Sequence, residues 1–154
     1  MKSFLFITLI MTMACCSVFA QNEKAEDEAL IKQVIQSAYV DGLCNNADEE
    51  AVQNGFHPGF ELCYAGRGNA MWKLPIYNWI GIAKEGKATK HKYSFQDEFT
   101  TVKFLYVDVE GNIAVSKFEF YEGETLKYID FLSLIRFEDG WKIVSKISHP
   151  VPGE

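Results

Sequence analysis

The chain has 154 residues, of which 21 are acidic and 15 are Lys or Arg, so its formal net charge is −6 at pH 7. A negative chain without a basic stripe is a poor partner for nucleic acid or for an anionic membrane surface, and both partners are excluded on this ground. Its length suits one domain with a real hydrophobic core.

Residues 1–20 have the pattern of a secretory signal peptide. Lys2 supplies a positive start, residues 4–13 are apolar except for two threonines, and Val18-Phe19-Ala20 ends in a small residue that suits signal peptidase. The apolar run is too short for a transmembrane helix. We therefore predict cleavage after Ala20, export to the periplasm or the cell exterior, and one domain over residues 21–154.

Cys15 and Cys16 leave a lipid anchor open as an alternative to a free exported protein. Lipoprotein signals usually carry Leu three residues before the cysteine that is modified. Here those positions hold Thr12 and Met13. A lipid anchor is therefore the less favoured alternative.

Two cysteines, Cys44 and Cys63, remain in the predicted exported domain. An oxidising compartment permits a disulfide between them. Sequence spacing does not say whether their Cα atoms come within bonding range, and a free cysteine is usually a buried thiol. A bridge and two thiols both stay open.

Apolar residues at helical spacing predict a first helix that ends near Leu43. Its apolar face consists of Leu30, Ile31, Val34, Ile35 and Ala38. Asn46, with Glu49 three residues later, resembles a capping box. It predicts a second, short helix that ends near Gly55.

Pro75 predicts the start of a third helix, because proline is favoured at the first helical position. This helix ends near Gly86, and its apolar face consists of Ile76, Trp79, Ile80 and Ala83. Before it, His57-Pro58-Gly59 predicts a turn. Residues 60–65 predict a strand, with a short return strand over residues 70–74.

The second half of the domain predicts four antiparallel strands joined by tight turns. Residues 91–109 are long for one strand, so we expect a bend near residues 96–98. The other strands cover residues 113–121, 125–137 and 141–149. The Asp-Gly turn before the last strand is a strong hairpin signal. Three helices followed by such strands predict an α+β fold, in which a curved antiparallel sheet packs on the helices and forms a cone with a pocket inside.

Three segments of the chain resemble a known family. They are Ala38-Tyr-Val-Asp-Gly-Leu43, Phe56-His-Pro-Gly-Phe-Glu-Leu62 and Asp139-Gly-Trp-Lys-Ile-Val-Ser-Lys146. Together they resemble the nuclear-transport-factor-2-like (NTF2-like) superfamily, and within it the branch named putative lumazine-binding, related to SnoaL-like polyketide cyclases. The resemblance covers residues 29–150 and implies a cone-shaped NTF2-like fold. It implies no single activity, because the superfamily contains both enzymes and binding modules.

Ketosteroid isomerase, an enzyme of this superfamily, provides a test for catalytic residues. The resemblance places Tyr64 where the isomerase has its general-base aspartate, and a phenol with an ordinary pKa near 10 is a poor base at neutral pH. Ser133 matches its protonated acid, and Tyr39 matches its helix tyrosine. Of the three catalytic positions of the isomerase, only the one matched by Tyr39 keeps its residue type. We therefore predict that isomerase chemistry is absent and assign no catalytic residue.

The spacing of the histidines and glycines indicates neither a metal site nor a cofactor site. No two of His57, His91 and His149 have the spacing of a metal pair on a helix or strand. No glycine-rich phosphate loop is present either. We therefore predict no metal and no cofactor. His149, at the end of the last strand, is the histidine placed to face a pocket mouth.

Asp130 is a charged residue in an otherwise apolar strand and needs a partner. Counting from the Asp-Gly turn makes Asp130 and Lys146 diagonal neighbours on one face of the hairpin. The same register adds Ser116 and Phe118 to that face and puts Lys117 on the other. The pair is either a cross-strand ion pair that stabilises the hairpin or a polar group that orients a ligand.

The terminal hairpin therefore has two distinguishable faces. One face carries Asp130, Leu132, Lys146 and Ser148, and the other carries Phe131, Ser133, Ile143 and Ile147. One of them should pack on the helices and line the cavity, while the other meets solvent or a partner. The sequence does not say which.

Aromatic residues near this hairpin predict the wall of a pocket. The candidate pocket residues are Tyr39, Tyr64, Trp72, Trp79, Phe118, Asp130, Lys146 and His149. A flat ligand such as a pterin or flavin would stack on such a wall, although the same aromatics also suit an ordinary core.

Three functions follow, in order of preference. The first is an exported pocket protein that binds a small apolar or heteroaromatic molecule without catalysis. The second is a metal-independent dehydratase, cyclase or isomerase, with Asp130 or His149 as proton shuttle. The third is an interaction module. The resemblance implies a homodimer through the sheet, because relatives commonly dimerise in this way.

Overall fold

The computed structural model describes residues 23–89 and 99–152. Helix α1 starts as an α-helix over residues 23–34 and continues in wider, π-helical turns over Ile35–Asn46. The next two helices are α2 (Glu49–Gly55) and α3 (Ile76–Thr89). Within the described residues, no helix is both long and apolar enough to cross a membrane.

Several predictions concern residues outside the described ranges. They are the signal peptide, the lipid-anchor cysteines Cys15 and Cys16, the start of the strand predicted over residues 91–109 and the bend near residues 96–98. All of them stay predictions.

Six strands form one curved, unclosed sheet. They are β1 (Phe56–Ala65), β2 (Met71–Pro75), β3 (Thr100–Glu110), β4 (Ile113–Glu122), β5 (Thr125–Phe137) and β6 (Gly140–Pro150). Their spatial order is β2-β1-β6-β5-β4-β3. The predicted α+β cone, a sheet packed on three helices, is confirmed.

Among the described strands, the neighbours β1 and β6 run parallel, whereas the other neighbouring pairs run antiparallel. The last four strands follow one another through short turns and therefore run antiparallel. Strands β1 and β6 are joined through the rest of the sheet, a long connection of the kind that parallel neighbours need. The sheet is thus mostly antiparallel, and local turn signals could not predict its single parallel pair.

The tight turns of the meander depend on glycine. Gly111 and Gly123 have φ angles of 59° and 57°. These left-handed conformations cost little for glycine and strain most other residues. The predicted turns between β3, β4 and β5 are therefore confirmed, together with the reason for their glycines.

The start of α2 differs from the prediction. Its N-cap is Asp48, whose carboxylate accepts two backbone N–H groups of the first turn at 3.0 and 3.2 Å. Asn46 instead ends α1, and its side chain donates to the carbonyl of Asp41 at 2.8 Å. The capping-box prediction was wrong because α1 continues past Leu43 in π-helical turns that sequence periodicity does not reveal.

The start of β1 also differs from the prediction. His57-Pro58-Gly59 lies inside β1, where the pairing with β6 shifts register between Phe56 and Glu61. Such an irregularity accommodates a proline, which has no N–H for the sheet. The turn-like signal remains local, since His57 Nδ1 accepts the N–H of Gly59 at 3.0 Å.

Helix α3 buries the face that its apolar spacing predicts. Ile76, Trp79, Ile80 and Ala83 are all at most 9% exposed. Pro75 ends β2 rather than opening the helix, and α3 continues three residues past Gly86.

The predicted register of the terminal hairpin is confirmed in the half that lies far from the turn. Asp130 lies opposite Ser148, and Leu132 lies opposite Lys146. Across β4, Phe118 lies opposite Asp130, and both are fully buried. Lys117 lies on the other face, where its Nζ is 5.2 Å from the centroid of the Phe131 ring.

Nearer the turn, the predicted position of Ile143 was wrong. The register shifts after Ser133, which pairs with Ser145, so that Leu134 pairs with Ile143. The irregularity reverses the alternation of β6, because one extra residue moves each following side chain to the opposite face. Ile143 is consequently fully buried in the core.

Candidate functional site

Asp130, Lys146 and Tyr39 form a buried polar cluster between the sheet and α1. Lys146 Nζ donates to Asp130 Oδ1 at 2.9 Å, and Tyr39 Oη donates to Asp130 Oδ2 at 3.0 Å. Lys146 also donates to the Ser148 hydroxyl. Asp130 is 0% exposed and Lys146 4% exposed. Each oxygen of the carboxylate thus has a donor, as a buried charge requires.

Aromatic rings surround the ammonium group of this cluster. Lys146 Nζ lies 5.4 Å from the Tyr39 ring centroid and 5.7 Å from that of Trp79. At these distances the negative faces of the rings attract the cation. The face that carries Asp130 and Lys146 is therefore the inner face of the hairpin, packed against the helices.

Burial raises the pKa of two groups at the cluster, so both stay protonated well above neutral pH. It raises the pKa of Tyr39 well above its usual value, and the negative charge of Asp130 adds to the effect. Burial likewise raises the pKa of the Cys44 thiol to about 12, although the positive charge of Lys146 opposes the change. A neutral phenol donates a hydrogen bond well, and a neutral thiol is a poor nucleophile.

A cavity of about 590 Å³ opens beside the cluster, between the sheet, α1 and α3. Five of its lining residues are Tyr39, Tyr64, Trp79, Lys146 and His149. Further lining comes from Cys44, Leu62, Ala65, Phe120, Tyr128, Ser148 and Pro150. Most of this wall is apolar or aromatic, and a few polar groups converge on one side, as in many small-molecule sites.

Comparison with known proteins identifies the family. The sequence profile of the family described as putative lumazine-binding matches residues 26–149. The chain belongs to this family. No functionally curated protein shows significant similarity to it.

Several solved structures share the fold of this family member, and two of them are described as NTF2-like proteins. A protein of unknown function from Shewanella baltica is 20% identical, with a TM-score of 0.64 over 84% of this chain and 97% of that one. One from Silicibacter pomeroyi is 18% identical, with a TM-score of 0.65 over 82% and 98%. A protein from Novosphingobium aromaticivorans, described as a putative aromatic ring hydroxylase, is 15% identical, with a TM-score of 0.56 over 84% and 92%.

The structure of this family member brings together five of the eight candidate pocket residues predicted from the sequence. The other three lie elsewhere. Asp130 and Phe118 are fully buried beneath the wall, and Trp72 is 58% exposed on the edge strand β2. Asp130 therefore supports the wall through Lys146 and Tyr39.

Four lining residues that were not predicted lie two positions from predicted ones. Leu62 precedes Tyr64, Phe120 follows Phe118, Tyr128 precedes Asp130, and Ser148 follows Lys146. Side chains two apart on a strand share a face. Adding the residues two positions before and after each predicted strand residue would have found all four.

The two cysteines of the described residues are thiols on different sides of the sheet, with no disulfide between them. Cys44 lines the cavity from α1. Cys63 lies between Leu62 and Tyr64, which both line the cavity, so it points to the outer face. A bridge would have to pass through the sheet.

No group of three or more His, Cys, Asp or Glu side chains among the described residues could hold a metal ion. A second cavity, of about 450 Å³, lies between α2, the start of β1 and α3. Its polar lining groups, Glu49, Gln53 and Tyr77, are all exposed. The first cavity, which has the buried polar groups of Lys146 and Tyr39 in its wall, is therefore better suited to orient a ligand.

Proposed function

We propose that this protein is exported and that the 590 Å³ cavity binds a small apolar or heteroaromatic molecule without catalysis. The observation that carries the proposal is the aromatic wall around one buried ammonium group. Tyr39, Trp79, Phe120 and Tyr128 supply ring surface, and Lys146 supplies hydrogen-bond donors. The family description, putative lumazine-binding, supports a ligand of this kind.

The charges of the site favour a neutral ligand with a hydrogen-bond acceptor. The ammonium of Lys146 is balanced by Asp130, so the pair carries no net charge. An ammonium has three donors, of which Asp130 and Ser148 receive two. Among the described residues, Lys146 Nζ makes those two hydrogen bonds, and we propose that its third donor serves a ligand carbonyl while the ring of the ligand packs on the aromatic wall.

The second candidate, a metal-independent enzyme, has less support. Both oxygens of Asp130 accept hydrogen bonds, and the residue is fully buried. A general base must come within hydrogen-bond reach of the substrate proton. His149, exposed at the cavity mouth, is the remaining proton carrier.

A thermal-shift and calorimetric screen of the purified mature protein tests the binding proposal. The panel contains lumazine, lumichrome, riboflavin, a steroid and a fatty acid. We expect at least one ring compound to raise Tm, since a ligand at 100 times its Kd stabilises a protein by about 3 kcal/mol. A panel without any saturable binder would refute the proposal.

Two variants locate the bound compound. Tyr128→Ala removes ring surface from the cavity wall and should weaken binding about tenfold, as expected for a lost aromatic contact of about 1.4 kcal/mol. Tyr77→Ala removes an exposed ring outside this cavity and serves as the control. Loss confined to Tyr77→Ala would place the compound in the second cavity, which that ring lines, and would refute the assignment.

We further propose a homodimer through the outer face of the sheet. The exposed apolar residues on that face include Ile113 (54%), Val115 (42%) and Ile147 (56%). Apolar residues gathered on one exposed face mark an interaction surface. Light scattering should give twice the chain mass for the wild type and the single mass for Val115→Asp with Ile147→Asp. A monomer at millimolar concentration would remove this proposal.

A further inference from the structure

Trp72 lies outside the cavity but continues its wall. It is directly opposite Tyr64 in the antiparallel pair of β1 and β2. Side chains opposite each other project from the same face of a sheet. Since Tyr64 lines the cavity, Trp72 extends the same surface toward the sheet edge. The two rings are 47% and 58% exposed.

The Trp72 indole packs closely against the backbone at Gly66. A Cβ built on Gly66 would lie 2.2 Å from Trp72 Nε1 and 2.4 Å from its Cδ1. The ring therefore lies directly over the backbone of Gly66, where no larger residue fits without displacing it. Gly66 is itself fixed, because its N–H donates to the carbonyl of Ala70 at 2.8 Å. An exposed ring with a fixed position is preorganised for contact.

The ring lies where a ligand would leave the cavity. Ala65 and Pro150, which end the parallel strands β1 and β6, are both exposed and line the cavity. The mouth therefore opens at this end of the two strands. Gly66 directly follows Ala65, so a substituent that leaves the mouth along β1 reaches the Trp72 ring over Gly66.

The exposure of this surface limits the chemistry of such a substituent. One side of the substituent would pack on the rings, and the other would stay in water. A hydroxylated chain or sugar meets both conditions, because its C–H groups pack on an aromatic face while its hydroxyls stay hydrated.

We propose that Tyr64 and Trp72 form an outer subsite that binds a polyhydroxylated substituent of the ring compound held in the cavity. This inference rests on the proposed binding function and adds a specificity determinant to it. The cavity takes the ring, and the outer subsite distinguishes ring compounds by their tails.

Titration calorimetry with two lumazines tests the inference. The probes are 6,7,8-trimethyllumazine and 6,7-dimethyl-8-ribityllumazine, which share one ring system and differ in a methyl against a ribityl group. The wild type should bind the ribityl compound about tenfold more tightly, which corresponds to about 1.4 kcal/mol. Trp72→Ala should bring the ratio of the two affinities to about one.

Two further variants separate the subsite from a general effect on folding. Gly66→Ala keeps Trp72 but displaces its ring, so it should also reduce the ratio. Met71→Ala removes a side chain that is 64% exposed next to Trp72, on the opposite face, and should leave the ratio at the wild-type value.

The outcomes distinguish this inference from the binding function. A wild-type ratio near one, or a ratio unchanged in Trp72→Ala, overturns the outer subsite and leaves cavity binding standing. A ratio reduced equally by Met71→Ala also overturns it. If the wild type binds neither lumazine, the outer subsite is overturned. The cavity proposal is then tested by the wider ligand panel alone.

Discussion

Two cross-strand ion pairs of this sheet have the same chemistry and opposite surroundings. Lys146–Asp130 joins β6 to β5 on the inner face at 2.9 Å, and Lys103–Glu119 joins β3 to β4 on the outer face at 3.1 Å. The lysine side chains are 5% and 68% exposed. Water screens the outer pair, so it contributes little stability. The inner charges are buried, so each depends on its partner for stabilisation that an exposed charge obtains from water.

The surroundings of the inner pair are relevant to both interpretations of Asp130 suggested by the sequence. The carboxylate lies below the cavity wall, where it accepts hydrogen bonds from Lys146 and Tyr39. Both of those residues line the cavity. The pair therefore holds the hairpin to α1 and also positions the polar part of the wall.

The largest expected effect comes from breaking the inner pair. Lys146→Met should lower the free energy of unfolding by about 3–5 kcal/mol, because it leaves the Asp130 charge buried without a counter-ion. Urea denaturation followed by circular dichroism measures the change. Replacing both partners, as Asp130→Leu with Lys146→Met, should recover much of the loss.

The matched control is Lys103→Met, which breaks the outer pair. It should change the free energy of unfolding by less than about 1 kcal/mol. Equal effects of Lys146→Met and Lys103→Met would show that burial does not set the strength of these pairs.

A smaller effect should follow from the tyrosine that completes the cluster. Tyr39→Phe removes the hydroxyl that donates to Asp130 and leaves the packing of the ring. The expected loss is about 1.5–3 kcal/mol, the range for hydrogen bonds to charged groups. Tyr77→Phe, at an exposed position, provides the control. An unchanged unfolding midpoint in Tyr39→Phe would remove the phenol from the cluster.

The smallest expected effect is a fall in the free energy of unfolding at alkaline pH that depends on Cys44. Cys44 lies on the inner side of the sheet and Cys63 on its outer face. The pKa of Cys44, about 12 in the folded state, exceeds the value of about 8.5 for an unfolded thiol. Its stabilising contribution is therefore complete below about pH 8.5 and is lost as the pH rises toward 12. In that window the folded state keeps a proton that the unfolded state has released, at about 1 kcal/mol per pH unit.

Urea denaturation between pH 8.5 and 10.5 measures this dependence. The free energy of unfolding should fall less steeply in Cys44→Ala than in the wild type. Cys63→Ala controls for the loss of a thiol. Parallel curves for the wild type and Cys44→Ala would contradict the role assigned to the buried thiol.

Features determined by neighbouring residues could be predicted from the sequence alone. The Asp-Gly turn and strand alternation place Asp130 and Lys146 as diagonal neighbours, and the structure confirms that register. The buried face of α3 and the glycine turns of the meander follow in the same way. The family resemblance, which depends on such local motifs and their spacing, is confirmed as well.

Features that depend on distant residues required the tertiary structure. Irregular pairing after Ser133 moves Ile143 into the core, and the π-helical turns of α1 shift the cap of α2 to Asp48. Neither has a local signal, because each results from how one element packs on another.

The sequence by itself determined the fold, the hairpin register and the two partners of the inner ion pair, since turns and alternation depend on sterics over a few residues. Only the tertiary structure decided which face of the hairpin is buried and that Trp72 lies outside the cavity. Those outcomes depend on the contact of α1 with the sheet and on the pairing of β1 with β6, which join segments far apart in the chain.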